Sequence, residues 1–151
     1  MEDYLKIKSV LLQKCILFVQ QKSDTISNSI ESNKNDLFSE TKSSAGDKHE
    51  TGRAMIQLEM EKASQQLSVI NEMKDTLKRI SIEDSLEKIK LGSLVKTTKG
   101  TYFLAISVGQ VKIENNTYFV VSTQSPIGKQ LLGKKEGDII PFNQAEILKV
   151  I

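Results

Sequence analysis

Residues 43–55 read Ser-Ser-Ala-Gly-Asp-Lys-His-Glu-Thr-Gly-Arg-Ala-Met, and they place Asp47, Glu50 and the chain's single histidine, His49, within one short stretch. Two carboxylates three residues apart fall on one side of a helix. They can begin a helix, because acids in a first turn interact favourably with free backbone N–H groups and the helix dipole. They can also offer oxygen ligands to a hard cation such as Mg²⁺, which binds through one or two carboxylates plus water and phosphate. Lys48 and His49 between them are expected to be solvated. One histidine and one cysteine do not make a zinc ligand set.

Bulk composition narrows the setting. With 151 residues, 38% hydrophobic and 26% charged, the chain has the length of one domain or two small ones and the balance of a soluble protein. Its most apolar stretch, residues 9–19, is interrupted by Lys14 and follows an acidic start, so neither a membrane span nor a signal peptide is expected and the location is read as cytoplasmic. A net charge of +2 argues against tight binding driven by nucleic-acid phosphates. The basic excess lies late: residues 90–151 hold eight Lys against four acids. Cys15 is expected in the core, as free cysteines usually are.

The elements that must position the two acids follow from periodicity. Leu12, Ile16, Val19, Ser23, Ile26, Ile30, Asn33 and Leu37 recur in steps of four and three, and so do Ile56, Met60, Ala63, Leu67, Ile70, Met73, Leu77 and Ile80. That spacing predicts two amphipathic helices with narrow apolar seams. Seams of this kind are buried against each other, and a short connection favours an antiparallel hairpin over residues 1–80. Ser39, Ser43, Ser44, Ala45 and Gly46 are expected to break the pattern, with Ser44 and Asp47 resembling a helix start. Asp47 and Glu50 would then sit at an acidic tip near residues 43–51, on a second helix about 45 Å long at 1.5 Å per residue. Met55, Met60 and Met73 are assigned to the seam.

After Ile80 the period changes. Residues 81–88 read as a linker or short helix, and residues 89–151 as short strands: KLGSLVKT, TYFLAISV, QVKI, NTYFVVS, DIIPF and AEILKVI. Thr98-Lys99-Gly100 and Glu114-Asn115-Asn116 read as hairpin turns. One helix interrupts the strands in QSPIGKQLLGKK, with Ser125 as N-cap, Pro126 in the first helical position and Gly133 as the stop. The fold class is α+β: a helical hairpin followed by a small antiparallel β domain with one short helix. Leu131, Leu132, Ile139 and Ile140 are expected in its core. Tyr102, Phe103, Tyr118 and Phe119 are read as packing residues in preference to a base-stacking platform.

This order of parts, with SPIGKQLLGKKEGD in the second half and Gly46-Asp47-Lys48-His49-Glu50 at the tip, resembles the bacterial Gre-type transcript cleavage factors. The match rests on Ser125, Pro126, Ile127, Gly128, Leu132, Gly133, Lys134, Gly137 and Asp138, and on the Gly-Asp-x-x-Glu spacing. It departs from the family after Glu50, where Thr51, Gly52, Arg53 and Ala54 replace the usual Asn, second acid and aromatic. The resemblance implies an FKBP-like C-terminal domain that docks on RNA polymerase, through Ser125, Pro126, Lys134 and Lys135, and a hairpin that enters the secondary channel. It implies that Asp47 and Glu50 help hold a shared Mg²⁺ at the polymerase active site, near the 3′ end of backtracked RNA. No cofactor of the protein's own is implied, and a monomer is expected from a hairpin that pairs its own seams.

Such a factor would stimulate the polymerase's cleavage activity without being an enzyme alone, since the chain lacks a complete metal site or an activated nucleophile. Two other readings stand beside it. One is a channel-occupying polymerase regulator that inhibits or modulates without promoting cleavage. The other is a coiled-coil adaptor or chaperone-like protein with a peptide-binding β domain.

Overall fold

The computed structural model describes residues 3–42, 47–83 and 87–151, and for residues 37, 39–42 and 47–51 the backbone alone. Two long helices come first, α1 (Tyr4–Lys42) and α2 (Asp47–Lys78). Strands β1 (Leu94–Thr97), β2 (Gly100–Ala105), β3 (Gly109–Ile113) and β4 (Asn116–Ser122) follow, then α3 (Pro126–Leu131), β5 (Ile139–Ile140) and β6 (Ala145–Val150). The architecture is the expected α+β, a hairpin-like helix pair followed by a sheet with one short helix. The connection at residues 43–46, with its assigned helix start at Ser44 and bend at Gly46, lies outside the described residues, as do residues 84–86 of the linker. Ser39 does not break the pattern, because α1 continues to Lys42.

The chain divides into two compact units, Val19–Lys74 and the remainder. In the first, the seam of α2 is the expected one. Ala63 and Ile70 are buried, and Ile56, Met60, Leu67 and Met73 are half-buried. Met55 is not part of it, being 62% exposed, since it precedes the Ile56 position by one and turns to the helix's outer side. From α1 the seam receives Val19 and two polar residues, Ser23 and Asn33, all buried. Ser23 is satisfied across the pair by Lys74, whose Nζ donates to its Oγ at 3.3 Å, as a buried hydroxyl requires.

The second unit holds residues 1–18 and 75–151. Here α1 buries Lys8, Leu11 and Cys15, while Ile16 is 42% exposed. The seam assigned through Leu12 and Ile16 is therefore one residue out of phase at this end. The reason is the partner: α1 meets a sheet in this unit. Lys8 Nζ donates to the Ile151 carbonyl at 3.2 Å and Lys96 Nζ to Tyr4 Oη at 3.2 Å.

The six strands run in the order β3-β4-β2-β1-β6-β5. Four pairings are antiparallel, and β2 with β4 is parallel, so the sheet is mixed where an antiparallel one was expected. The cause is the connection at residues 106–108, which carries the chain past the place beside β2. Strand β3 then forms the edge, and β4 returns through the Glu114-Asn115 turn to fill the gap. Three residues reach about 10 Å, the width of two strand spacings. One face of the sheet packs Val95, Tyr102, Leu104 and Ile147 against Leu131 of α3 and Ile140 of β5. Leu94, Phe103, Ala105 and Val120 are buried on the other.

Tyr102 and Phe119 tilt at 33° with centroids 5.5 Å apart, and Tyr102, Phe103 and Tyr118 are all buried. They are packing residues, with no open aromatic face for a base.

Cys15 is 1% exposed, and burial pushes its thiol up to about 12. A thiolate is the reactive species, so Cys15 in the native protein is expected to resist a disulfide reagent at pH 8 and to react fully once denatured, as a thiol titration with and without guanidinium would show. The sign for stability follows. A pKa raised in the folded state stabilises fully below about 9, and that contribution is lost as pH climbs toward 12.

Candidate functional site

Two groups of residues were singled out by sequence, and they belong to different compact units. Asp47 is the first residue of α2 and Glu50 lies in the same first turn, so the backbone gives them the i, i+3 relation expected of a paired site. Their side chains, and those of Lys48 and His49, lie outside the described residues. Gly52 is helical, which costs about 1 kcal/mol relative to Ala. Arg53 is half-buried, and its Nε is a buried donor without a hydrogen-bond partner.

The second group surrounds α3. Ser125 is its N-cap, with an extended backbone at φ −69°, ψ 159°. Its Oγ accepts from the Gly128 N–H at 3.1 Å and donates to the Ser122 carbonyl at 2.6 Å. Both hydrogen-bonding roles of the hydroxyl are thus spent within the domain, and such a cap is worth about 1 kcal/mol. Pro126 follows in the first turn, where its missing N–H is harmless.

The helix ends as compactly as it begins. Gly133 turns the chain at φ +80°, and its N–H donates to the Ile89 carbonyl at 2.8 Å, while the Ile89 N–H donates to Lys134 at 2.8 Å. Asp138 closes the next turn, its carboxylate accepting from the Lys135 N–H at 2.9 Å. Gly137, at φ +90°, donates to the Ile147 carbonyl at 2.8 Å. Most of the SPIGKQLLGKKEGD pattern therefore does architectural work, tying α3 to the strand before it and the strand after it.

What remains open to a partner is more limited. Pro126 and Lys135 are exposed and Lys134 is half-buried. The helix between the two pairs rises about 9 Å over its six residues, so Ser125 and Pro126 do not converge with Lys134 and Lys135 on one point. Sequence reading missed the apolar residues beside them. Leu132 and Ile139, expected in the core, are 39% and 57% exposed, and Phe142 is 65% exposed with its N–H donating to Gln130 Oε1 of α3 at 2.8 Å. The alternation in DIIPF held the signal: a two-residue strand buries Ile140 and turns Ile139 outward.

Among the described residues no group of three or more His, Cys, Asp or Glu side chains could hold a metal. No helix of the described residues is long and apolar enough to cross a membrane. No protein-family model matches the chain, and a comparison with curated proteins finds no relative.

Proposed function

We propose that this protein binds RNA polymerase and stimulates cleavage of backtracked RNA, with the start of α2 as its working end and the sheet domain as its anchor. The observation that carries the reading is the position of Asp47 and Glu50 in the opening turn of a 32-residue helix that pairs with another. A long hairpin with acids where its second helix begins suits delivery of charge into a narrow channel. The exposed Leu132, Ile139 and Phe142 beside Lys134 and Lys135 give the anchoring domain an apolar and basic surface of the mixed kind that protein partners use.

Two carboxylates are fewer ligands than the six that Mg²⁺ takes. They fit an ion shared with the polymerase and the RNA, and Asp47 and Glu50 are the residues that would hold it. Such an ion, when bound, lowers the pKa of water and stabilises charge in the displaced phosphate. The chain's own part is delivery and orientation: α2 sets the spacing of the acids and the sheet domain holds the protein on its partner. The protein then has no catalytic activity alone, and it acts in the cytoplasm, where the polymerase works.

A tethered probe tests this placement. A cysteine introduced as Lys48→Cys and loaded with an iron chelate is expected to cut the RNA near its 3′ end within a backtracked complex. Cuts confined to the outer polymerase surface would contradict the reading. Cys15, buried with its thiol pushed up, need not be removed for selective labelling.

A further inference from the structure

A row of polar and charged side chains crosses the sheet face that meets α1. Lys149 of β6 and Lys96 of β1 are direct cross-strand partners, and Lys96 pairs in turn with Thr101 of β2. Thr101 and Tyr118 each precede the β2–β4 pair Tyr102 and Phe119 by one residue, so Tyr118 continues the row on β4. Like charges directly opposite each other repel. Even so, both lysines turn to one ring: their Nζ atoms lie 5.3 Å (Lys96) and 4.6 Å (Lys149) from the Tyr4 centroid. Lys96 also donates to the Tyr4 hydroxyl at 3.2 Å.

Beside this pair lies a cavity of about 120 Å³, lined by Tyr4, Lys96, Thr101, Asn116, Thr117 and Tyr118 together with Leu94. These residues bring hydroxyl, amide and ammonium donors, and none of them is a carboxylate. The nearby Asp3 carboxylate is engaged by the Lys6 N–H at 3.1 Å. The volume is about four times the share of one liquid water, enough for a tetrahedral oxyanion. Positive charge gathered against its own repulsion, beside a donor-lined cavity without acids, is the chemistry of anion recognition.

We propose that this cavity binds a phosphate-type oxyanion, either free phosphate or the phosphate of a nucleotide, with Lys96 and Lys149 supplying charge and Tyr4, Thr101 and Thr117 supplying hydroxyl donors. The proposal is independent of the polymerase reading. It explains why two lysines converge on one tyrosine, since an anion between them turns repulsion into shared attraction. It also links the site to the fold, because Tyr4 is the first residue of α1 while the other donors come from β1, β2, β4 and β6.

The test is amide NMR on the full chain, titrated with inorganic phosphate, adenosine monophosphate or adenosine at ionic strength held constant with sodium chloride. Saturable shifts at Thr101, Asn116 and Thr117 are expected with phosphate or the nucleotide. The Lys96→Gln, Lys149→Gln double variant is expected to weaken binding by about tenfold or more. Tyr4→Phe, which keeps the ring, serves if the double variant does not fold, and is expected to cost about threefold or more. Tighter binding of the nucleotide than of phosphate, with adenosine inert, identifies a nucleotide ligand; the reverse order identifies the free ion. Shifts that follow ionic strength alone, equal shifts with adenosine, or unaltered phosphate binding by a folded variant would overturn the proposal.

Discussion

Changing Asp47 to Asn and Glu50 to Gln together is expected to lower stimulated transcript cleavage by at least about a hundredfold, while polymerase binding stays within about twofold. Magnitudes separate this from a structural effect. A hundredfold loss is about 2.7 kcal/mol of transition-state stabilisation. An acid in a first helical turn is worth about 0.3–1 kcal/mol through the dipole, and α2 is 32 residues long, so fraying its first turn leaves most of its seam intact. Amides keep the shape and the acceptor oxygen and remove only charge. A loss of cleavage without a loss of docking would therefore assign the carboxylates to chemistry, and a parallel loss of both would assign them to structure. Quantitative binding and single-turnover cleavage on the same preparation make the comparison.

Gly128→Ala is expected to destabilise the sheet domain by about 3 kcal/mol or more, a larger effect than most single substitutions produce. A Cβ at position 128 would stand 1.9 Å from the Ser122 carbonyl oxygen and 2.9 Å from Ser125 Oγ. The obstacle is backbone, so relief requires α3 to lift from the end of β4, drawing Leu131 out of the core and breaking the Ser125 cap. Gly133→Ala is the control. Nothing lies within 4 Å of a Cβ there, and only the left-handed conformation at φ +80° opposes it. That strain is worth about 1–2 kcal/mol. Urea unfolding followed by circular dichroism should rank Gly128→Ala well below Gly133→Ala. Equal midpoints would show that the approach of α3 to Ser122 is not the constraint described.

The seam of α2 was readable in advance because one period holds from Ile56 to Ile80 against one kind of partner. On α1 the same reasoning worked from Val19 onward and failed at Leu12 and Ile16, where the helix meets a sheet and the buried face shifts to Lys8, Leu11 and Cys15. No local period announces such a change of partner. Strand positions were legible from alternation and turns, but the parallel β2–β4 pairing was not. Pairing order depends on where three residues between β2 and β3 carry the chain, and neighbours in sequence are only usually neighbours in a sheet.

At the candidate site, the spacing of Asp47 and Glu50 and the start of a helix there were legible. The cap at Ser125, the proline after it and the stop at Gly133 were legible too, because capping chemistry is local. The need for glycine at position 128 was not, since it arises from contact with Ser122 across a loop. The outward turn of Ile139 and Leu132 also escaped, because hydrophobic type alone does not reveal which side of a short strand or helix end faces the core.

The central claim is that the acids at the start of α2 promote RNA cleavage by a bound polymerase. The most direct measurement is a time course on a purified polymerase stalled in a backtracked state on end-labelled RNA, with Mg²⁺ and the wild-type protein added. The account predicts rapid shortening of the transcript from its 3′ end, dependent on both the polymerase and the protein. Stable binding with no shortening beyond the polymerase's own slow rate would contradict it, and would leave a regulator that occupies the channel without aiding the chemistry.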